Sequence, residues 1–598
     1  MSAVPIYEID GRRLYYTFVA GAKKIFEQQQ YLNKINVFPV RDGDTGSNMA
    51  ITIRSAIESI LPDKSFTVTA NRIAETTMMN ARGNSGIIFA QFLFGLSKEA
   101  GERKSLTIPQ FASSIKKSIP YMYEAVANPA EGTMLTVIRE WSEFIYSQRE
   151  IITDFNQLFV RSKEVMAKSL SETKHKLLVL AKANVVDAGA NAFVLFIEGI
   201  IEFINTSNVR KLLRSKTEPL VLPTNSELIP EDVKFRYCTE GILRNLEVDR
   251  ETLFRKLQQH GNSVVIGGDE KVKHIHIHTN NPAKMFHQLK EVSLITFQKA
   301  DDMLRQSEVI FRRKWKIALV TDSTCDLPQE LIDQYQVNML PLNVNFGESH
   351  YLDKITIQPE QFYTLLNEHS EFPKTSQINE KAFSALYAQL ASEYDSIISI
   401  HLTDKFSGTF GSSQKAAQAA SKEFNKPITV LNSKNLSGSL GLIILRVAQA
   451  IEAGLSHDEI VMIAEKWIKD TRIFVSVKTL KYMVRGGRVS HMKGFMAKLM
   501  NVNPIVSMDE QGSSFVFGKT FSQKTNMEMV MRHLSEICKD REIWNYIVLH
   551  AQNTDAAGWY TQKMDDFTGK MPVAVVNISP VIGGNAGIGA AAVALMFN

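Results

Sequence analysis

The period at which apolar residues recur changes along this chain, and each change narrows the folds open to it. Up to about residue 208, apolar side chains return every three or four positions, in 14–26, 49–60, 87–96, 134–145 and 193–204, with charged residues between them. That spacing lines one face of an α-helix. Stretches reading as strands are scarce, so the first third is expected to be an all-helical bundle. Residues 209–232 lose the pattern, with Pro219, Pro223 and Pro230 among Lys, Ser, Thr and Asn, and read as a linker. Residues 233–312 read as a small mixed domain, with candidate strands at 235–246, 263–266, 272–279 and 294–297 and candidate helices at 251–260 and 282–292. From 316 to 598, short apolar runs at 316–321, 396–402, 428–431, 472–477, 546–550 and 573–576 alternate with helical stretches, a rhythm that predicts parallel α/β sheets.

Composition removes several function classes. Lys and Arg number 68 against 63 Asp and Glu, a net charge of +5 over 598 residues with no basic block interleaved with aromatics. Nucleic acid is therefore not an expected partner. The opening MSAVPIYEIDGRR has acids where a secretory leader needs a basic start and an apolar run. The apolar stretch 193–204 carries Glu198 and Glu202, and no run approaches the ~20 apolar residues of a bilayer span, so no integral membrane segment is expected. Cys238, Cys325 and Cys538 are few and far apart, against a disulfide framework. The expected setting is cytoplasmic.

Four loops carry candidate chemistry in the helical third. In NVFPVRDGDTGSN, from Asn36 to Asn48, Asp42 and Asp44 flank one glycine, and two carboxylates so spaced can converge on a hard cation such as magnesium. The bland reading is an Asx-rich turn capping the next helix. Arg82-Gly83-Asn84-Ser85-Gly86 precedes an apolar helix, where exposed N–H groups and the helix dipole favour phosphate, although an inter-helix turn would look the same. Glu131-Gly132-Thr133 and Val185-Val186-Asp187-Ala188-Gly189 are further small-residue loops opening helices. The chain has no G-x-x-x-x-G-K-[ST], which excludes a P-loop as the phosphate cradle.

In order and spacing, INVFPVRDGDTGSNM, ARGNSGI, EGTMLTV and VVDAGA resemble the nucleotide-binding L-domain of dihydroxyacetone (glycerone) kinases, and more closely the ATP-binding component of fatty acid kinase, over residues 1–208. The resemblance implies an all-α helical barrel holding ATP with magnesium at one rim. Asp42 and Asp44 would be the metal ligands and catalytic acids. Asn36, Thr45, Gly83, Asn84, Ser85, Gly86, Thr133 and Asp187 would surround the nucleotide. Arg41 departs from the proline common in that family, and Ala190-Asn191 from a more glycine-rich pair.

In the middle segment, 272–279 places His274, His276 and His278 on one strand face, and Cys238 in Tyr237-Cys238-Thr239-Glu240 is a soft ligand to join them. A polar, half-exposed strand face is the alternative. YCTE and HIHTN resemble the middle domain of fatty acid kinase, which implies zinc at Cys238, His276 and His278 but not at His274.

Residues 316–598 contain VTDSTCDLP, KTSQ, FSGTFGSS, VRGGRVS and SPVIGGNAG. All but VRGGRVS, taken singly, read as helix capping by Ser and Thr. Together, in order, they resemble the DegV family of fatty-acid-binding proteins. That implies a two-lobed α/β domain around an acyl tunnel, with Thr375, Ser376, Ser407, Gly408, Thr409 and Asn585 about the carboxylate. Asn585 stands where many members have histidine, and Phe521 where a basic residue is common. The resemblances imply a fused fatty acid kinase making an acyl phosphate from a fatty acid or related lipid, with ATP, magnesium and zinc as cofactors; a homodimer is an expectation separate from them. The rivals are a lipid-binding regulator with an inactive kinase domain and a dihydroxyacetone-type kinase.

Overall fold

The computed structural model describes residues 5–38, 43–206, 233–368, 371–488 and 502–598. They divide into two compact units. One takes in the chain up to Asn280 with Val292–Leu294 and Asp301–Leu304; the other takes in Asn281–Glu291, Ile295–Ala300 and Arg305–Asn598.

The first unit is built on the helices Gly11–Glu27, Thr45–Ser59, Phe66–Met79, Gly83–Ala100, Ile108–Ala125, Met134–Ser147, Phe155–Lys176 and Ala188–Thr206. Gly11–Glu27, Gly83–Ala100, Met134–Ser147 and Ala188–Thr206 extend past the apolar stretches that predict them, Thr45–Ser59 begins before its stretch and stops one residue short of its end, and Phe66–Met79, Ile108–Ala125 and Phe155–Lys176 form where no such stretch is marked. Asp10 starts the first by accepting from Arg13 N at 2.8 Å. Gly11–Glu27 and Ala188–Thr206 cross closely: a Cβ on Gly21 would lie 2.6 Å from the Phe196 ring, and one on Gly199 2.6 Å from Ala20 O. Phe196 then meets Phe18 and Phe89 edge-on, at 5.6 and 5.1 Å between centroids. Ala188–Thr206 is long and apolar enough to cross a membrane by length and composition alone, yet it is mostly buried as a core helix of this unit. A two-stranded ribbon, Glu8–Asp10 with Ser105–Thr107, is not signalled by any alternation.

Three antiparallel strands belong to the same unit: Val272–Thr279 lies between Gly261–Gly268 and Tyr237–Arg244. They sit on the helix Gly83–Ala100. Gly268 N donates to Gln91 Oε1 at 3.0 Å, and Val265 joins Met78, Ala81, Ile87 and Ala90 in one buried cluster. The half-exposed strand face is not what forms. His274, His276 and His278 keep 3%, 1% and 3% of their surface, because helix 83–100 and its neighbours cover the face that carries them.

In the second unit the first sheet is parallel, in the order Ile428–Asn432, Ser396–His401, Ile317–Asp322, Asn338–Leu340. The other large sheet corrects the expectation of parallel sheets. Its order is Ser514–Thr520, Asn503–Met508, Thr471–Ser476, Ala591–Phe597, Ile543–His550, Val575–Asn577, and every pairing but the last is antiparallel. A buried apolar run looks the same whichever way its neighbour runs. A small antiparallel sheet of Ser349–Leu352, Asn343–Phe346 and Lys374–Ser376 completes the set.

Candidate functional site

In the first unit, Asn36, Asp44, Thr45, Asn48, Gly83, Asn84 and Ser85 line a pocket with about 370 Å³ unfilled by protein atoms, part of it open to solvent. Asp42 lies outside the described residues. The exit of its loop is fixed by Ser47, whose Oγ accepts from Gln29 Nε2 and Asn33 Nδ2, both at 3.0 Å, and whose N donates to Asn33 Oδ1 at 3.0 Å. Sequence reasoning does not single out Gln29 and Asn33, since their partner lies 14 or more residues on. Gly83 turns at φ +60, where a Cβ would also strike Asn48 Nδ2 at 2.5 Å, so this turn requires glycine.

Gly86, Thr133 and Asp187 do not line the cavity. Gly86 lies against Thr52, and Thr133 caps its helix by accepting from Leu135 N at 3.3 Å. Asp187 accepts from Ala190 N at 2.7 Å, and burial pushes its carboxyl up to about 6 against those backbone donors. Gly189 brings this loop to Ser85: a Cβ there would be 2.6 Å from Ser85 Oγ and 3.4 Å from Asp187 Oδ1.

The same cavity is lined by Cys238, His276 and His278. One ligand atom from each falls within 4.8 Å of the others. Burial pushes the His278 imidazole down to about 3, so it is neutral and able to donate a lone pair near neutral pH. His276 Nε2 is buried with no hydrogen-bond partner. One thiol and two imidazoles, converging with an orphaned ring nitrogen, fit a zinc ion. His274 points elsewhere, its Nδ1 3.1 Å from Met78 O. Glu240, present in the sequence motif but not selected from it, accepts from Gly83 N at 2.8 Å and Arg82 Nη1 at 2.6 Å.

The second unit holds a cavity with about 930 Å³ unfilled by protein atoms, part of it open to solvent. Most of its wall is apolar, with Leu402, Val475, Val506, Leu549 and Ile582 among its residues. Its polar groups include Thr375, Ser376, Ser407, Asn585 and Arg488. Thr375 and Ser376 come from the edge of the small sheet, and Ser407 from the loop after Ser396–His401. Gly408 and Thr409 stand behind Ser407: Thr409 N donates to Ser407 Oγ at 3.2 Å, and a Cβ on Gly408 would meet Gln377 Oε1 at 2.0 Å. Asn585 Nδ2 donates to Val581 O at 3.0 Å, while its Oδ1 is buried without a partner against Gly486. Phe521 is 88% exposed and does not line this cavity. Arg488, within VRGGRVS, is a site residue that the sequence pattern does not mark; it brings the one guanidinium among the described lining residues.

Family models match this chain in three consecutive stretches. A DAK2 domain covers 39–202, a FakA-like (fatty acid kinase) middle domain covers 234–310, and the DegV family, described as uncharacterised, covers 316–598. The chain joins a DAK2 domain and a FakA-like middle domain to a DegV-family region. The cavity with Asp44 and Cys238 therefore belongs to the DAK2 and middle domains, and the apolar one to the DegV domain.

Among curated proteins, the chain is 28% identical over 325 residues to protein YloV of Bacillus subtilis, covering 52% of this chain and 59% of that one. It is 32% identical over 287 residues to an uncharacterized MG369 homolog of Mycoplasma pneumoniae, covering 44% and 51%. It thus spans little more than half the length of these relatives. Among solved structures, DegV of Bacillus subtilis, named as a fatty acid binding protein, is 30% identical over 48% of this chain and 100% of its own, with a TM-score of 0.43. A DegV family protein of Thermus thermophilus, whose description mentions fatty acid binding, is 29% identical over 47% and 100%, with a TM-score of 0.44.

Proposed function

We propose that the chain is a fatty acid kinase in one polypeptide: the DAK2 domain binds Mg-ATP, the DegV domain presents a fatty acid, and the γ-phosphoryl group passes to the carboxylate. The observation that carries this reading is the DegV cavity, whose largely apolar wall and cluster of hydroxyls with one guanidinium suit an acyl chain ending in an anion. Thr375, Ser376 and Ser407 would hydrogen-bond the carboxylate, Arg488 would pair with it, and Asn585 would face it through an amide.

In the DAK2 domain, Asp44 with Asp42 would hold magnesium, which supplies charge neutralisation to the triphosphate when bound. The turn Gly83–Ser85 would receive phosphate oxygens at the start of its helix. Thr45 and Asn36 flank the same cavity, and Asp187 would steady Ser85 through its loop. A carboxylate oxygen attacks the γ-phosphorus, the bond to the β,γ-bridging oxygen breaks, and ADP leaves with that electron pair. The product is an acyl phosphate and no proton is transferred, so alignment and charge stabilisation are what the residues supply. Covalent linkage makes the encounter intramolecular, with an effective concentration on the order of millimolar where the linker permits it.

The test is turnover of the full chain with ATP and a panel of fatty acids, following ADP and acyl phosphate together. Acyl phosphate formation abolished by Asp42→Ala is the expected result. ATP consumption with dihydroxyacetone but not with fatty acids, or no Mg-ATP binding at all, would overturn it.

A further inference from the structure

The metal triad and the phosphate turn are joined by one side chain. Glu240 lies between His276, across the strand pair, and the Arg82–Gly83 turn. Its Oε1 accepts the Gly83 N–H at 2.8 Å and lies 3.8 Å from His276 Nδ1, which is itself 3.9 Å from Cys238 Sγ. Its Oε2 accepts from Arg82 Nη1 at 2.6 Å. The side chain is 1% exposed, so both oxygens act in a dry environment where charge-assisted hydrogen bonds are strong. Arg82 N is held in turn by Thr52 Oγ1 at 3.0 Å, and Gly83 has the φ +60 that sets the direction of the Asn84 and Ser85 amides.

We propose that Glu240 is a positioning residue that couples metal occupancy at Cys238, His276 and His278 to nucleotide affinity at the Arg82–Ser85 turn. The proposal rests on the kinase reading for the identity of the anion. A metal ion fixes His276 and Cys238 in one arrangement. Glu240, wedged against His276, then has one placement, and the Gly83 N–H that it accepts fixes the turn. Without the ion, His276 and Cys238 lose the restraint that a shared metal would supply, Glu240 loses a fixed neighbour, and ordering the turn comes at the expense of nucleotide binding energy. Linkage makes the effect reciprocal: nucleotide must tighten the metal by the same factor.

The experiment uses the full chain, stripped of metal and then reloaded with zinc, with MgADP titrated calorimetrically against both forms. Zinc is titrated in competition with a chromophoric chelator, with and without MgADP. In the unmodified protein zinc is expected to tighten MgADP about tenfold, within the usual range of coupling between sites, and MgADP to tighten zinc equally. In Glu240→Ala, which removes both the acceptor for Gly83 N–H and the contact with His276, zinc still binds and the ratio falls to about one. A ratio of one in the unmodified chain, a ratio unchanged in Glu240→Ala, or no zinc binding overturns the coupling, and the first and last need no variant to fold. Absence of MgADP binding in both forms instead sinks the kinase reading.

Discussion

Arg488 Nη2 stands 3.4 Å from Thr375 Oγ1, joining at the cavity two segments 113 residues apart. A second guanidinium bond goes to Gly486 O, so the group is held in place and faces the cavity that Thr375 also lines. With Asn585 where the family resemblance would place a histidine, Arg488 is the cationic side chain among the described lining residues, and in the proposed function it would pair with the carboxylate. Arg488→Ala is expected to weaken fatty acid binding about 10- to 100-fold, the scale of a lost charge-assisted hydrogen bond, with Arg488→Lys in between. Displacement of a fluorescent fatty acid measures this, and a loss below twofold would remove Arg488 from the head-group site.

Ser407 offers a neutral hydroxyl, and its Oγ also accepts from Thr409 N. Ser407→Ala should therefore cost about 1 kcal/mol of lipid affinity, roughly fivefold, while MgADP affinity in the other unit is unchanged. An equal fall in both affinities would point to general damage.

Asp44 is the described member of the acidic pair, and it lines the same cavity as Ser85. Asp44→Asn should reduce acyl phosphate formation by at least a hundredfold and leave fatty acid retention intact. Mass spectrometry of extracted lipid and a coupled ADP assay check the two halves. Near-normal turnover would exclude the aspartate from metal binding.

Asp187 gives a pH dependence whose sign is fixed by burial. Its folded pKa of about 6 exceeds the ordinary 3.8, so the folded state binds the proton more tightly. Its contribution is complete below pH 4 and declines as pH rises from about 4 to 6, by up to ~3 kcal/mol. Asp187→Asn should flatten that decline. Amide hydrogen exchange of the helices Met134–Ser147 and Phe155–Lys176 across this window reads it, and an identical slope in the variant would refute the assignment.

Where periodicity and burial agree, the fold was legible. The strand Val272–Thr279 forms between the residues its alternation marks, and the helical third emerges as helices. Strand direction was not legible. Ala591–Phe597 is wholly buried at the centre of its sheet, so its sequence has no alternation to show a face, and its antiparallel neighbours come from 471–476 and 543–550. The hairpin of Asn343–Phe346 and Ser349–Leu352 turns on Gly347 and Glu348, too short a signal among polar residues. At the sites, Glu240 and Arg488 both sit inside recognisable motifs, YCTE and VRGGRVS. What singles them out is a partner more than a hundred residues away, Gly83 for one and Thr375 for the other, and local spacing holds no record of that.

One cavity wall carries both the Asp44 carboxylate and the Cys238 thiol. A buffer containing EDTA, added to withdraw a hard ion from the first, would also compete for a soft ion at the second. On the proposed function, activity lost in such a buffer and regained only slowly with magnesium would then be a deficiency of two elements, and preparations purified with and without the chelator should differ in what restores them.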